Sequence, residues 1–313
     1  MTVSEATADR ASGVLLGLAC GDALGVPYEF DRVVLGADER PAMRGGGLGD
    51  FEPGEWSDDT SMAVGVAEGL ASSTSPGERL DAIAGRFLDW FRTSPPDVGT
   101  QTRGILDGLG ERNGVGLGAA MAAAAFDYAS RHQHSAGNGA LMRTAPVALA
   151  HLEDRPGCAR AARAVAALTH ADPDAADTCV LWTEAVRLAV TGGGIDLAAG
   201  LDLVDDADRW RAVLEEAVAG DLARFRPNGW TVRTLQVAYG AIHRADGDLE
   251  QALTLAIRVG DDTDTVAAVA GSLLGAHHGA SALPHHWLEA VHGWPGHTAA
   301  DLRRLAIRVA ERS

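Results

Sequence analysis

The chain has 313 residues, 46% of them apolar and 22% charged, a balance that supplies a sizeable packed core and excludes a disordered chain. Its formal charge of −17 excludes partners held by bulk electrostatics, so neither a nucleic acid nor an anionic membrane surface is expected to bind. All 26 basic residues are arginine, and the absence of lysine rules out a Walker P-loop, a Schiff-base lysine and a pyridoxal phosphate enzyme.

Residues 1–10 are polar and acidic, unlike a signal peptide, and no apolar run approaches the ~20 residues that span a bilayer. Cys20, Cys158 and Cys179 are odd in number and lack C-x-x-C spacing, which reads as buried thiols in a reducing compartment. A cytoplasmic monomer is expected.

Along the chain, helical periodicity dominates. The first helix carries Gly13, Gly17, Gly21 and Gly25, one every four residues, making a smooth ridge along which another helix can approach closely. Residues 32–35 are the best candidate for a strand. Ser57-Asp58-Asp59-Thr60 then precedes a helical run over 61–70. Short polar or Gly/Pro breaks fall at 72–77, 94–97, 192–194 and 227–229, and none has the composition of an interdomain linker, so residues 1–313 read as one domain. Ser135-Ala136-Gly137-Asn138-Gly139-Ala140 precedes another helical run. Small residues there let backbone N–H groups approach a ligand, and a following helix N-terminus favours an anion such as a diphosphate. Cys158, Ala161, Val165 and Leu168 repeat at helical spacing, and His170 stands just beyond them. Asp261-Asp262-Thr263-Asp264-Thr265 opens a helical run over 266–278, where Ala267, Gly271, Gly275 and Gly279 form a second small-residue ridge. Leu302, Leu305, Ala306 and Val309 mark a last helix.

The two acidic segments offer five carboxylates and four hydroxyls at two helix starts, whereas a cap uses one side-chain oxygen. If the two glycine ridges pack at the centre of a bundle, these acids converge. Converging carboxylates repel and their pKa values rise, a conflict that a divalent cation resolves. A donor set without Cys or His points to Mg²⁺ or Mn²⁺ rather than zinc. Asp58 and Asp59, about 100° apart around a helix, suit two adjacent ions better than one.

Five motifs in order resemble the ADP-ribosylglycohydrolases, the family that includes dinitrogenase reductase-activating glycohydrolase. They are Gly21-Asp22-Ala23-Leu24-Gly25 with Tyr28-Glu29, Ser57 through Thr60, Ser135 through Arg143, Thr169-His170, and Gly260 through Thr265, spread over roughly residues 11–280. The resemblance implies an all-α, compact orthogonal bundle with a central two-metal cleft. It implies that Ser57, Asp58, Asp59, Asp262, Asp264 and Thr265 hold two Mg²⁺ ions, or Mn²⁺, and that Glu29 lies on a mobile flap and joins Asp58, Asp59 and Asp264 in catalysis. Asp22, Asp97, Gly99, Ser135, Ala136, Gly137, Asn138, Gly139 and His170 would bind substrate. Ala136 stands where some relatives place a tyrosine, so adenine stacking must come from elsewhere.

The implied reaction is hydrolysis of the bond between ADP-ribose and an acceptor, foremost ADP-ribosyl-arginine on protein, through an oxocarbenium-like transition state. Serine or nucleic-acid linkages, or a non-catalytic ADP-ribose-binding protein, are the alternatives. A Mg²⁺-dependent isoprenoid synthase fits less well. Its DDxxD pattern fails at Asp58-Asp59-Thr60-Ser61-Met62, and 5% aromatic residues are few for walling a carbocation pocket.

Overall fold

Alanine, leucine and arginine, all good helix formers, fill segments that wind into α1 (Glu5–Gly25), α2 (Asp58–Ser72), α3 (Pro76–Arg92), α4 (Thr100–Asp107), α5 (Leu117–Arg131), α6 (Leu141–Thr144), α7 (Arg155–Ala167), α8 (Pro173–Val190), α9 (Ala207–Ala219), α10 (Thr231–Arg244), α11 (Leu249–Arg258), α12 (Thr263–His278), α13 (His285–Ala290) and α14 (Ala299–Ala310). The structure is a computed structural model that describes residues 3–313; the first two residues of the polar 1–10 segment lie outside the described residues. Among the described residues the only sheet is the antiparallel pair β1 (His292–Gly293) and β2 (His297–Thr298), with His292 opposite Thr298. The fold is all-α, as expected. Local chemistry marks the helix starts. Asp154, Asp172, Asp206 and Asp248 each accept a backbone N–H at the start of α7, α8, α9 and α11, and proline opens α3, α7 and α8.

The two small-residue ridges meet along an antiparallel seam between α1 and α12. A Cβ at Gly13 would lie 2.0 Å from the Gly275 carbonyl oxygen, at Gly17 2.2 Å from that of Gly271, and at Gly21 2.1 Å from that of Ala267. At Gly25 it would lie 2.4 Å from the Thr263 oxygen. These are backbone-to-backbone contacts, closed to every residue but glycine. Gly279 does not continue the ridge; it ends α12 with φ 86°. Around the seam, α14 and α2 pack on α1, while α8, α10 and α11 flank α12.

Two expectations are corrected. Glu5–Asp31, with mean hydropathy 1.3, is long and apolar enough by length and composition to cross a membrane, contrary to the reading that no apolar run approaches that length. Its apolar window is entirely buried because α12 and α14 cover it inside the protein. Residues 32–35 form no strand: no neighbouring segment pairs with them, and Val33 and Val34 are exposed. The three cysteines are free and buried, as read from the sequence.

The seam makes a direct prediction. Gly17→Ala should destabilise the protein by about 1–3 kcal/mol through overpacking. Gly85→Ala, in α3 with nothing within 4 Å of the added methyl, should instead stabilise by roughly 0.5–1 kcal/mol. Denaturant unfolding of both variants checks the contrast, and equal effects would mean that the helices do not touch at Gly17.

Candidate active site

The seam carries Asp22, near the end of α1, to the starts of both α2 and α12. Asp22 Oδ1 accepts the Ser57 N–H at 3.0 Å, and Oδ2 accepts the N–H of Thr60 at 3.0 Å and its hydroxyl at 2.6 Å. A carboxylate from α1 thus closes the N-terminus of α2, where unpaired N–H groups favour negative charge. Ser57 is the formal cap of α2; its hydroxyl faces Asp59, donating to Oδ2 at 3.0 Å. Thr265 donates to the same oxygen at 3.3 Å. Asp59 Oδ1 is buried without a partner.

The other acidic segment is shaped by a tight turn. Asp261 has φ 69°, accepts the Asn228 N–H at 2.6 Å through its carboxylate, and accepts the Phe30 N–H at 2.7 Å through its carbonyl. Asn228 Oδ1 accepts the Asp262 N–H at 3.0 Å, and Asp262 Oδ2 accepts from Asn138 Nδ2 at 2.8 Å. Asp264 follows in the first turn of α12, buried, with Oδ1 unpartnered. Glu29 enters from the kinked segment after α1; it is buried, and Oε2 has no partner.

Two carboxylate triads result. Oxygens of Asp22, Asp59 and Asp264 lie within 4.8 Å of one another, as do those of Glu29, Asp97 and Asp264. Asp264 belongs to both. Burial, reinforced by Asp97 and Asp262, pushes the Glu29 carboxyl up to about 8. Burial raises Asp22 to about 6 against the opposing pull of its donors. Asp58, Asp59 and Asp264 stand well above the usual carboxylate range through burial and mutual repulsion, and Asp97 and Asp262 are raised as well, chiefly by burial. Three unpartnered buried oxygens in an all-oxygen set fit a hard divalent cation. The sequence-read ligands Asp58 and Asp262 stand on the cleft wall outside both triads, while Ser57 and Thr265 adjoin them through Asp59.

A cleft of about 600 Å³ runs from these acids to the glycine loop. Glu29, Asp58, Asp97, Gly99, Gly137, Asn138, Gly139, His170, Asp262, Asp264 and Thr265 all line it. His170 lies buried under the loop: a Cβ at Gly139 would meet its Cε1 at 3.0 Å, and one at Gly137 its Nε2 at 3.3 Å. Its Nδ1 is 2.8 Å from the Thr169 hydroxyl, and burial beside Arg143 lowers its pKa to about 3, so the ring is neutral.

Some sequence-read residues stand apart from the cleft lining. Asp22 does not line it; its carboxylate closes the start of α2 and belongs to the first triad. Ser135 and Ala136 line an adjoining groove with Trp230, and the Ser135 hydroxyl donates to Asp172 at 3.2 Å. The helix after the loop, α6, has only four residues before the chain tightens into 3-10 turns, so its dipole is slight and the loop amides must carry any anion. Asp97 lines the cleft just before α4, which starts at Thr100 with Gly99 as its cap. Asn228, which organises the Asp261–Asp262 turn, escaped sequence reading because Pro227-Asn228-Gly229 looks like any other turn. Tyr128, stacked on His132 with centroids 3.8 Å apart, lines the cleft from the last turn of α5 and carries no local signal.

Fold and site together define an all-α protein with an acidic cleft fit for divalent cations and a small-residue loop facing it. A family model described as ADP-ribosylglycohydrolase matches residues 3–313, and the chain belongs to this family. It is 30% identical to the ADP-ribosylarginine hydrolase Tri1 of Pseudomonas putida (strain GB-1), over 99% of this chain and 80% of the relative. It is also 30% identical to the ADP-ribosyl-[dinitrogen reductase] glycohydrolase of Rhodospirillum rubrum, over 90% of this chain and 89% of the relative. A solved structure described as an ADP-ribosylglycohydrolase-related protein complex superposes with TM-score 0.76 at 31% identity, covering 99% of this chain and 100% of that one.

The acid cluster predicts an unusual pH dependence. Its carboxyls have pKa values raised above those of the unfolded chain, so the folded, ion-free protein binds more protons than the unfolded one. Their contribution to stability is full below about pH 4 and is lost as pH rises through about 6 for Asp22 and about 8 for Glu29. In a chelating buffer, Asp264→Asn should therefore melt above the native protein at pH 8, with a smaller gap at pH 5. Mg²⁺ should raise the native melting temperature more at pH 8 than at pH 5, and should do little for the variant. A gap that does not change with pH would refute the crowded-carboxylate account.

Proposed function

We propose that this protein hydrolyses the N-glycosidic bond between ADP-ribose and an acceptor, with ADP-ribosyl-arginine on protein as its substrate. The observation that carries the reading is one cleft holding a crowded, oxygen-only acid cluster at one end and a small-residue loop over a neutral histidine at the other. The names of two relatives, an ADP-ribosylarginine hydrolase and an ADP-ribosyl-[dinitrogen reductase] glycohydrolase, support it.

Asp59, Asp264 and Glu29, with the hydroxyls of Ser57 and Thr265 beside them, would hold two Mg²⁺ or Mn²⁺ ions, which supply Lewis acidity toward ribose hydroxyls and water. The chain's own groups do the rest. Backbone amides of Gly137 and Gly139, the loop glycines that line the cleft, receive the diphosphate, where side-chain cations are scarce and the net charge is strongly negative. Neutral His170 supports that loop from below and keeps it close to the cleft. The transition state carries positive charge at the ribose anomeric carbon, and the carboxylates of Glu29 and Asp97 face the region where it develops. Water's oxygen ends on that carbon, and its proton ends on the departing guanidine nitrogen.

An arginine acceptor gives Asp97 a partner. A planar guanidinium donates two parallel hydrogen bonds to a carboxylate, whereas a serine oxygen leaves Asp97 facing a neutral atom.

Release of ADP-ribose from arginine-linked, serine-linked and nucleic-acid-linked substrates with Mg²⁺ tests this reading. Release from the arginine linkage is expected, Asp264→Ala should abolish it, and Asp97→Asn should slow it about tenfold or more while sparing affinity for free ADP-ribose. Binding of ADP-ribose with no release from any linkage would leave only a non-catalytic reader.

The loop has its own test. Gly139→Val places its Cβ 3.0 Å from His170 Cε1 and adds two methyls at a position that lines the cleft. Affinity for free ADP-ribose should fall at least about tenfold with helical content unchanged. Calorimetric titration decides it, and native affinity in a folded variant would remove the loop from the binding site.

A further inference from the structure

A second cavity, of about 300 Å³, meets the main cleft at Asp58 and Asp97, the two residues that line both. Neither the glycine loop nor His170 reaches it. Its walls include Phe51, Trp90, Trp294 and Pro96, and Glu55 adds a third carboxylate to those of Asp58 and Asp97. Nothing in the proposed handling of ADP-ribose uses this space.

The wall chemistry restricts what can enter. No arginine or histidine lines the cavity, so a diphosphate would meet three carboxylates and no cation. A neutral apolar group would leave the charge of the three carboxylates uncompensated, although Glu55 accepts the Glu52 N–H at 2.8 Å. Aromatic faces combined with carboxylates select a cation carried on an apolar stem. Trp294 already demonstrates the affinity within this chain, since the Arg86 guanidinium carbon sits 4.8 Å from its ring centroid. Arg86 itself is occupied by Glu68 at 2.5 Å and Asp89 at 3.2 Å and does not line the cavity.

The geometry points to this cavity as the acceptor subsite, receiving the arginine side chain of an ADP-ribosylated protein. This inference rests on the hydrolase reading above and assigns the far side of the bond that reading breaks. The ADP-ribose occupies the main cleft, the guanidinium lies at the shared boundary beside Asp97 and Asp58, and the methylene stem runs along Trp294 and Pro96. Arg in place of Lys matters here, because a planar guanidinium both stacks on indole and pairs in parallel with a carboxylate. The released arginine side chain leaves by the same cavity, away from the diphosphate.

Trp294→Ala, Trp294→Phe and Glu55→Gln, none of them among the proposed metal or ADP-ribose ligands, test the assignment against an arginine-linked peptide, a serine-linked peptide, free ADP-ribose and agmatine, a guanidinium on a four-carbon chain. Trp294→Ala should raise KM for the arginine-linked peptide about tenfold, in keeping with loss of a cation–π contact, with kcat and the Kd for free ADP-ribose within about twofold. Trp294→Phe should recover most of the loss. Agmatine should compete with the arginine-linked peptide in the native enzyme and do so about tenfold less well in Trp294→Ala. If Trp294→Ala fails to fold, the near-isosteric Glu55→Gln carries the test, with an expected KM increase of about threefold confined to the arginine-linked peptide. Unchanged KM and unchanged agmatine inhibition in a folded variant would overturn the subsite while leaving the hydrolase intact. A native protein that releases ADP-ribose from no linkage would instead overturn the hydrolase reading, and agmatine binding by calorimetry, present in the native protein and lost in Trp294→Ala, would then judge the cavity by itself.

Discussion

Everything at the acid cluster depends on two helices touching through their backbones. With a side chain anywhere along the α1–α12 seam, the helices would stand apart by the width of that side chain, and Asp22 would no longer reach Ser57 and Thr60 while Thr263 donates to the Gly25 carbonyl at 2.8 Å. Close approach exchanges side-chain burial for proximity. The seam forgoes hydrophobic area and gains placement, bringing acids from residue 22 and residue 264 into one triad. Core stability comes instead from flanking helices that bury leucine, valine and tryptophan around the pair.

That placement sets up a conflict which the fold does not resolve by itself. Hydrogen bonding satisfies Asp22 and one oxygen of Asp59, yet oxygens of Asp59, Asp264 and Glu29 remain buried and unpaired. Buried unpaired carboxylate oxygens are costly, and structures that keep them usually use them. The protonated state that relieves repulsion in the ion-free chain is the state least able to hold a cation. Stability of the ion-free chain and any affinity for a cation would therefore oppose each other across the same pH range.

Much of this was legible in the sequence, for identifiable reasons. The glycine ridges up to Gly275, the acid pairs at helix starts and the Gly-Asn-Gly turn are periodic or local signals, and each can be read from neighbouring residues alone. What escaped depends on partners distant in the chain. Asp22 carries the same side chain whether it binds a ligand or closes another helix, and only the position of α2 decides. Asn228 and Tyr128 lie in a turn and in the last turn of a helix, and their place at the cleft is set by what packs against them. The apolar character of Glu5–Asp31 is composition, and its burial is tertiary structure. The wall formed by Phe51, Trp90 and Trp294 is assembled from segments 39 and 204 positions apart, by subtraction of their numbers, and no spacing rule joins them.

Asp264 serves both carboxylate triads, and this gives the cleft a property neither triad has separately. A cation held at either triad would draw on the same carboxylate, so the two triads are coupled through one side chain rather than merely adjacent. A cation at one triad alone would leave the other two carboxylates of the second, Glu29 with Asp97 or Asp22 with Asp59, without a cation of their own. The two triads would therefore load as one electrostatic unit, and a singly loaded cleft would be a distinct species rather than half of a loaded one.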